Sequence, residues 1–398
     1  MKVLFISPFF YPEKISTGRY NTWLVEGLAR RGLDITVLAS HPIYPEWKVQ
    51  TSNKQLKNIN IIRGGSWLIF PRRMILRRAL LEIWFSWFVL TNFFRIGRNA
   101  DYIISVYPPS LFSALLSFFL NKNIYSIGIV HDLQGVHAGI SQGRLSVMMS
   151  RLINYVERKA FHSCNRLIFL SKSMAEEAKK NYDLNQDKIF VSYPFPTLDS
   201  AENGVTDLSK LLPDSSLNIV YSGALGHKQN PRALYQFMQR IASNNNKYLS
   251  HIFSAGPVFE QLKQEFSEVL GNLVIFHDLV GDGDLKSLYE RSFIQLIPQL
   301  SGIGHGSLPS KLPNILFAGA PVFAICDEDC ELADLINQSN CGGIGSTWEL
   351  DSLCKSFEVY VSKMYSESVL ERQSRLKPVV DKFFSLDSLL DQVAINEK

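Results

Sequence analysis

Asn218-Ile-Val-Tyr-Ser-Gly-Ala-Leu-Gly-His-Lys-Gln-Asn-Pro231 is a short apolar run that ends in a loop carrying two glycines. It follows a polar stretch, 193–216, marked by Pro194, Pro196 and Pro213. A run without polar alternation reads as a strand buried on both faces, as in a parallel sheet covered by helices. Upstream, similar runs recur at 3–7, 35–40, 102–107, 126–131 and 166–171. Helical stretches separate them, such as 20–31, which Gly32 closes as a C-terminal stop. Downstream, further strands are expected at 251–255, 274–277, 294–298 and 321–326. Strand and helix thus alternate twice over, with a restart at the proline-marked stretch. That pattern predicts an α/β chain of two doubly wound, Rossmann-like domains, 1–200 and 213–375. Ligands of such folds bind outside the carboxyl ends of the strands, so a cleft between two facing sheets is the expected site.

Bulk properties agree with this and exclude other classes. At 398 residues the chain is too long for one ordinary core. It is 46% hydrophobic and 20% charged, a globular composition, and a net charge of +4 gives no reason to expect a nucleic-acid partner. The charge is uneven, because seven Arg and one Glu fall between Arg63 and Arg98. Five scattered Cys, with no second pair near Cys326 and Cys330, argue against zinc and fit a reducing cytoplasm. Met1-Lys2 runs into four apolar residues and then Pro8, which reads as a strand and not as a secretion signal. A cytoplasmic location is expected.

Three loops carry the candidate chemistry. The first, Ser7 to Arg19, sets Ser16, Thr17 and Gly18 just before a helix, where free N–H groups and the helix dipole attract anions. An ordinary helix cap is the plainer reading of that loop. It lacks the Gly-x-Gly-x-x-Gly of a dinucleotide site, which counts against a dehydrogenase. The second is Tyr221 to Pro231, where Gly223 and Gly226 allow close backbone approach and Lys228 offers a cation to a diphosphate. The third is Gly304-His-Gly-Ser-Leu-Pro-Ser-Lys-Leu-Pro-Asn314, with Ser310 and Lys311 in the first turn of the helix it enters. No metal-ligand cluster is visible.

These segments, in this order, resemble the retaining family-4 glycosyltransferases of GT-B architecture over nearly the whole chain. The branch most similar builds bacterial exopolysaccharides, including colanic-acid-type units. The resemblance rests on Tyr221-Ser-Gly-Ala-Leu-Gly-His-Lys-Gln229 paired with Pro309-Ser-Lys-Leu312 and Ala318-Gly-Ala-Pro-Val322. Tyr11-Pro-Glu13 with Thr17-Gly18, His41 to Trp47, and Val130-His-Asp-Leu-Gln134 support it. It implies transfer of a sugar from a nucleotide-diphosphate sugar, bound by the second domain, to a lipid-linked saccharide acceptor held by the first. No further cofactor is implied, and residues 383–398 would cross back to the first domain. The family's Glu-x7-Glu pattern falls here on Gly306 and Asn314. Asn314 would then serve the ribose, and donor-sugar contact would pass to His305 or to backbone. Ala224 stands where a phosphate-binding Arg is common, so Lys228, Ser310 and Lys311 would hold the diphosphate as its negative charge grows. His131 and Asp132, at a strand end, would orient the acceptor; a hydrogen-bonded core histidine is the alternative. A sugar-nucleotide epimerase and a non-catalytic binding subunit remain competing readings.

One stretch stands apart, Ala79-Leu-Leu-Glu-Ile-Trp-Phe-Ser-Trp-Phe-Val-Leu-Thr-Asn-Phe-Phe94. Its 16 residues are shorter than the ~20 a bilayer crossing needs. It reads either as a buried helix or as one that dips Trp84 and Trp87 into lipid. In the second reading Arg72, Arg73, Arg77 and Arg78 meet anionic headgroups at the inner face of the plasma membrane.

Overall fold

The computed structural model describes residues 1–13, 15–44, 46–121, 123–135, 144–198, 207–302, 308–364 and 367–393. The chain divides into two compact units, Met1–Tyr193 with Leu386–Lys398, and Pro194–Ser385.

The first unit holds seven strands: β1 (Lys2–Ile6), β2 (Asp34–Ser40), β3 (Ile59–Gly64), β4 (Tyr102–Tyr107), β5 (Tyr125–Val130), β6 (Arg166–Phe169) and β7 (Ile189–Val191). They form one sheet in the order β3-β2-β1-β4-β5-β6-β7, and every pairing is parallel. Its helices are α1 (Ser16–Arg30), α2 (Met74–Ile96), α3 (Leu111–Leu116), α4 (Arg144–His162) and α5 (Lys172–Tyr182). Leu4 and Ile6 of β1 pack in one core with Phe85, Phe88 and Phe93 of α2 and Phe161 of α4. Val3 and Phe5, of opposite parity along the strand, are equally buried, so both faces of this sheet are covered. Gly32 stands at φ 85°, a left-handed turn that ends α1 where a side chain would be strained.

The second unit holds β8 (Leu217–Ser222), β9 (Tyr248–Ser254), β10 (Val274–Asp278), β11 (Ile294–Pro298), β12 (Val322–Ile325) and β13 (Gly342–Gly345), all parallel, in the order β10-β9-β8-β11-β12-β13. Between them run α6 (Pro231–Asn244), α7 (Pro257–Phe266), α8 (Leu285–Glu290), α9 (Leu312–Phe317) and α10 (Glu331–Ser339). After β13 come α11 (Leu350–Met364) and α12 (Val369–Phe383). Phe357 of α11 meets Phe323 and Phe237 edge-on at 5.1 and 5.5 Å, which ties two helices to one sheet face. The last helix, α13 (Leu386–Val393), belongs to the first unit. There Leu390 lies against Gly27 of α1, where a Cβ would sit 2.9 Å from a leucine methyl. Arg31 pairs with Asp391 at 2.6 Å.

The fold class expected from the sequence, two parallel α/β sheets, is the one found. Three edge strands were not anticipated. β13 is Gly-Gly-Ile-Gly, with almost no strand propensity, and β7 is three residues long. Helix α2 differs from its expected bounds. It spans 23 residues, so Arg77 and Arg78 lie inside its first turns and do not precede it. By length and composition it could cross a bilayer. Its Leu81, Phe85, Val89 and Phe93 stripe is nonetheless core of the first unit.

Candidate active site

In the second unit, the loops that leave β8 and β11 and the turn that enters α9 enclose a cavity of about 300 Å³. Gly223, Lys228, Gln299, Ser310 and Lys311 line it. Lys311 Nζ donates to Ser222 O, at the carboxyl end of β8, at 3.1 Å and to Leu296 O, within β11, at 3.4 Å. The ammonium also lies 4.2 Å from the Tyr221 ring centroid. Burial pushes its pKa down to about 7, because a desolvated ammonium is disfavoured. The φ of Gly223, 134°, is open to glycine, and a Cβ there would lie 4.0 Å from the lysine Nζ. Lys228 is exposed at the rim.

Much of the loop's backbone is already committed. The N–H groups of Gly223, Leu225 and Gly226 donate to Phe253 O, Ser254 Oγ and Gln229 Oε1 at 3.0, 3.1 and 2.9 Å. Helix α9 starts at Leu312, whose N–H donates to Pro309 O, and Pro313 follows with no N–H at all. Charge in this cavity therefore comes chiefly from Lys311 and Lys228, and less from a helix terminus than the sequence suggested. Asn314 has one evident task. Its Oδ1 accepts from Thr197 N at 2.7 Å and so ties the segment after Pro194 to α9. His305 lies outside the described residues. Gln299 was not anticipated: its Oε1 is buried and without a hydrogen-bond partner among the described residues, while Trp348 donates to its carbonyl at 3.1 Å.

In the first unit the chemistry gathers after β5. His131 N donates to Tyr107 O at 2.9 Å, which extends the sheet by one residue and fixes the ring's origin. The imidazole meets Tyr20 edge-on at 4.8 Å, and its Nε2 is buried with no hydrogen-bond partner among the described residues. Burial holds its pKa down to about 4, so the ring is neutral at pH 7. Asp132 is exposed and accepts Leu133 N at 3.0 Å. The next two amides, of Gln134 and Gly135, donate to the carboxylate of Glu157 on α4 at 3.0 and 2.9 Å. Tyr182 OH donates to the same carboxylate. No local signal marks Glu157, because the residues it serves lie more than twenty positions upstream.

Gly18 lies in the first turn of α1, where a Cβ would come within 2.7 Å of Glu13 O. Glu13 in turn accepts the N–H groups of Ile43 and Tyr44 at 2.8 and 3.1 Å, joining the loops after β1 and β2. Gly18 thus serves loop packing, and the anion-binding reading of this helix start gains no support from the geometry.

Arg72, Arg73 and Arg78 are exposed, whereas Arg77 stacks on Trp47 at 4.2 Å. Trp87 is 60% exposed. Trp84 corrects the expectation of lipid contact, since it is 5% exposed and stacks on Phe88 at 5.6 Å within the core. Three positions set the two tryptophans only about 60° apart around the helix, and packing against the core buries Trp84 while Trp87, at the edge of that stripe, stays exposed.

The family model described as Glycosyltransferase Family 4 matches residues 17–198. The putative colanic acid biosynthesis glycosyl transferase WcaI of Escherichia coli (strain K12) is 24% identical over 357 residues, covering 84% of this chain and 86% of that protein. Among solved structures, sucrose-phosphate synthase from Thermosynechococcus elongatus superposes with a TM-score of 0.72 at 15% identity, over 99% of this chain and 97% of that one. WaaG, a glycosyltransferase involved in lipopolysaccharide biosynthesis, does so at 0.66 and 14% identity, over 98% and 99%.

Proposed function

We infer that this chain, a family-4 glycosyltransferase of GT-B fold, moves a sugar from a nucleotide-diphosphate sugar onto a lipid-linked saccharide during synthesis of a bacterial surface polysaccharide. The family is a retaining one. One observation carries the donor half of this reading: Lys311 binds the carbonyls of Ser222, at the carboxyl end of β8, and of Leu296, within β11, inside a cavity that Gly223 lines. Breaking the sugar–phosphate bond builds negative charge on the leaving diphosphate. A desolvated ammonium placed in advance opposes that charge more effectively than a solvated one. Lys228 adds a second cation from the rim, and Ser310 a hydroxyl.

The acceptor half rests on His131. Its ring is neutral at pH 7, so it acts by hydrogen bonding through Nε2 and not as a fixed cation. In this reading it orients the acceptor hydroxyl with Asp132, and a donor phosphate oxygen takes the acceptor's proton. The likeness to a colanic acid transferase supports a surface polysaccharide as the product. A lipid-linked acceptor calls for a membrane surface, and the exposed Arg72, Arg73 and Arg78 offer cations to anionic headgroups at its cytoplasmic face.

Calorimetry tests the donor site. Lys311→Ala and Lys228→Ala should each weaken nucleotide-diphosphate binding, the former by about tenfold or more, as loss of a desolvated charged hydrogen bond does. Unchanged affinity in both variants would remove the site from these loops.

A further inference from the structure

Away from both loop clusters, the first unit carries a surface that its own core does not use. On α2, Trp87 and Phe94, seven positions apart and so on one side of the helix, are exposed. Beyond the end of α3, Phe118 is 67% exposed and Phe119 accompanies it. On α4, Leu152 and Tyr155 lie one turn apart and are exposed to a similar degree. Part of this group is in direct contact. Phe94 meets Phe119 edge-on at 5.1 Å, and Lys159 of α4 sits 3.9 Å over the Phe118 ring. Arg98 lies 4.8 Å over Phe94.

Charge on this surface is predominantly positive. Helices α2, α3 and α4 contain seven Arg or Lys and two carboxylates, Glu82 and Glu157. Both carboxylates are turned onto backbone amides, Glu82 onto Ser110 and Leu111 and Glu157 onto Gln134 and Gly135. Asp183, at the end of α5, pairs with Arg158 at 3.5 Å. Beside Phe118, a groove of about 470 Å³ is lined by Tyr155, Arg158, Lys159 and His162.

We propose that this α2–α3–α4 face docks on an anionic phospholipid bilayer, with Trp87, Phe118 and Tyr155 entering the interface and a lipid phosphate lodged against Arg158 and Lys159. Aromatic tips flanked by cations, with carboxylates withdrawn, suit a headgroup layer in which apolar and anionic groups lie within a few ångström. A protein partner would more often meet a face of mixed sign. The inference rests on the membrane reading given above, but it uses residues distinct from Arg72, Arg73 and Arg78.

The test is co-sedimentation of the full chain with phosphatidylglycerol–phosphatidylcholine vesicles and with pure phosphatidylcholine vesicles, at low salt. The wild type should favour the anionic vesicles, and Trp87→Ser/Phe118→Ser/Tyr155→Ser should bind them at least about 30-fold more weakly. Nucleotide-diphosphate affinity, which belongs to the second unit, should be unchanged in that variant and reports that it is folded. Brominated lipid should quench wild-type tryptophan fluorescence, and Trp87→Phe should lose most of that quenching. If the triple variant still binds while Arg72→Gln/Arg73→Gln/Arg78→Gln does not, this face is wrong and the arginine cluster stands. If the wild type binds neither vesicle, both membrane readings fail and sugar transfer is untouched. A solution dimer that the triple variant makes monomeric, with vesicle binding intact, would assign the face to a second copy of the chain and overturn the proposal.

Discussion

Three carboxylates shape the loops of the first unit, and one lysine anchors those of the second. Glu13, Glu82 and Glu157 each accept backbone N–H groups from a loop after a β-strand or a helix start, and burial pushes all three carboxyl groups above the usual range. In the second unit the roles reverse, because backbone carbonyls at the end of β8 and within β11 hold an ammonium. The contrast follows from what each site is proposed to bind. A site for neutral hydroxyls needs fixed loops and can spend its charges internally. A site for a diphosphate must keep a cation facing the ligand, and that cation is desolvated until the ligand arrives.

The largest expected effect separates the two units by function. His131→Ala should cut sugar transfer by roughly 10²-fold, as loss of a positioning group does, while donor affinity measured by calorimetry stays within about twofold. Near-normal transfer would make His131 a core residue of its sheet and leave the first unit without a chemical role.

The next test concerns the lysine's titration. In the free chain Lys311 is protonated below about pH 7 and neutral above it. A bound diphosphate favours the protonated form, so binding takes up a proton. Donor affinity should be highest below pH 7 and fall towards tenfold per pH unit above about pH 7.5. Lys311→Met should abolish that slope, and a pH-independent wild type would show the ammonium to be charged throughout.

A smaller effect is expected from Glu157→Gln. One carboxylate oxygen is replaced by an amide that cannot accept, so one loop N–H loses its partner at a cost of about 1–3 kcal/mol. Chemical denaturation should show that loss. Acceptor KM should rise severalfold with donor affinity unchanged, since the loop held by Glu157 follows His131-Asp132. A fall in kcat alone, at constant KM, would count against positioning.

The smallest effect has the opposite sign. The pKa of Lys311 is about 7 when folded against 10.5 unperturbed, so the unfolded chain binds the proton more tightly. Its burial therefore opposes folding most below pH 7, and the penalty vanishes above about pH 10.5. Lys311→Met should raise the Tm at pH 7, since the variant carries no desolvated ammonium. The gain should shrink as pH rises. An unchanged Tm would mean that the two carbonyls and the Tyr221 ring fully offset desolvation.

Some of this was legible in the linear sequence, and the division has a physical cause. Uninterrupted apolar runs such as Val3–Ile6 of β1 announce a covered parallel strand, because burial on both faces leaves no polar alternation. Gly32 announces a helix end for an equally local reason, the cost of positive φ to other residues. Lys228, Ser310 and Lys311 were legible as a group through their loops, and the structure sets all three around one cavity. What could not be read depends on sums over residues distant in the chain. Trp84 and Trp87 sit in one apolar stretch, and only the sheet beneath α2 decides that the first is core and the second is surface. The neutrality of His131, the task of Glu157 and the hold of Asn314 on Thr197 arise from neighbours brought together by folding. Backbone conformation is biased by each residue's own sterics and periodicity. Burial, charge state and hydrogen-bond partnership belong to the environment, and the environment exists only once the chain has folded.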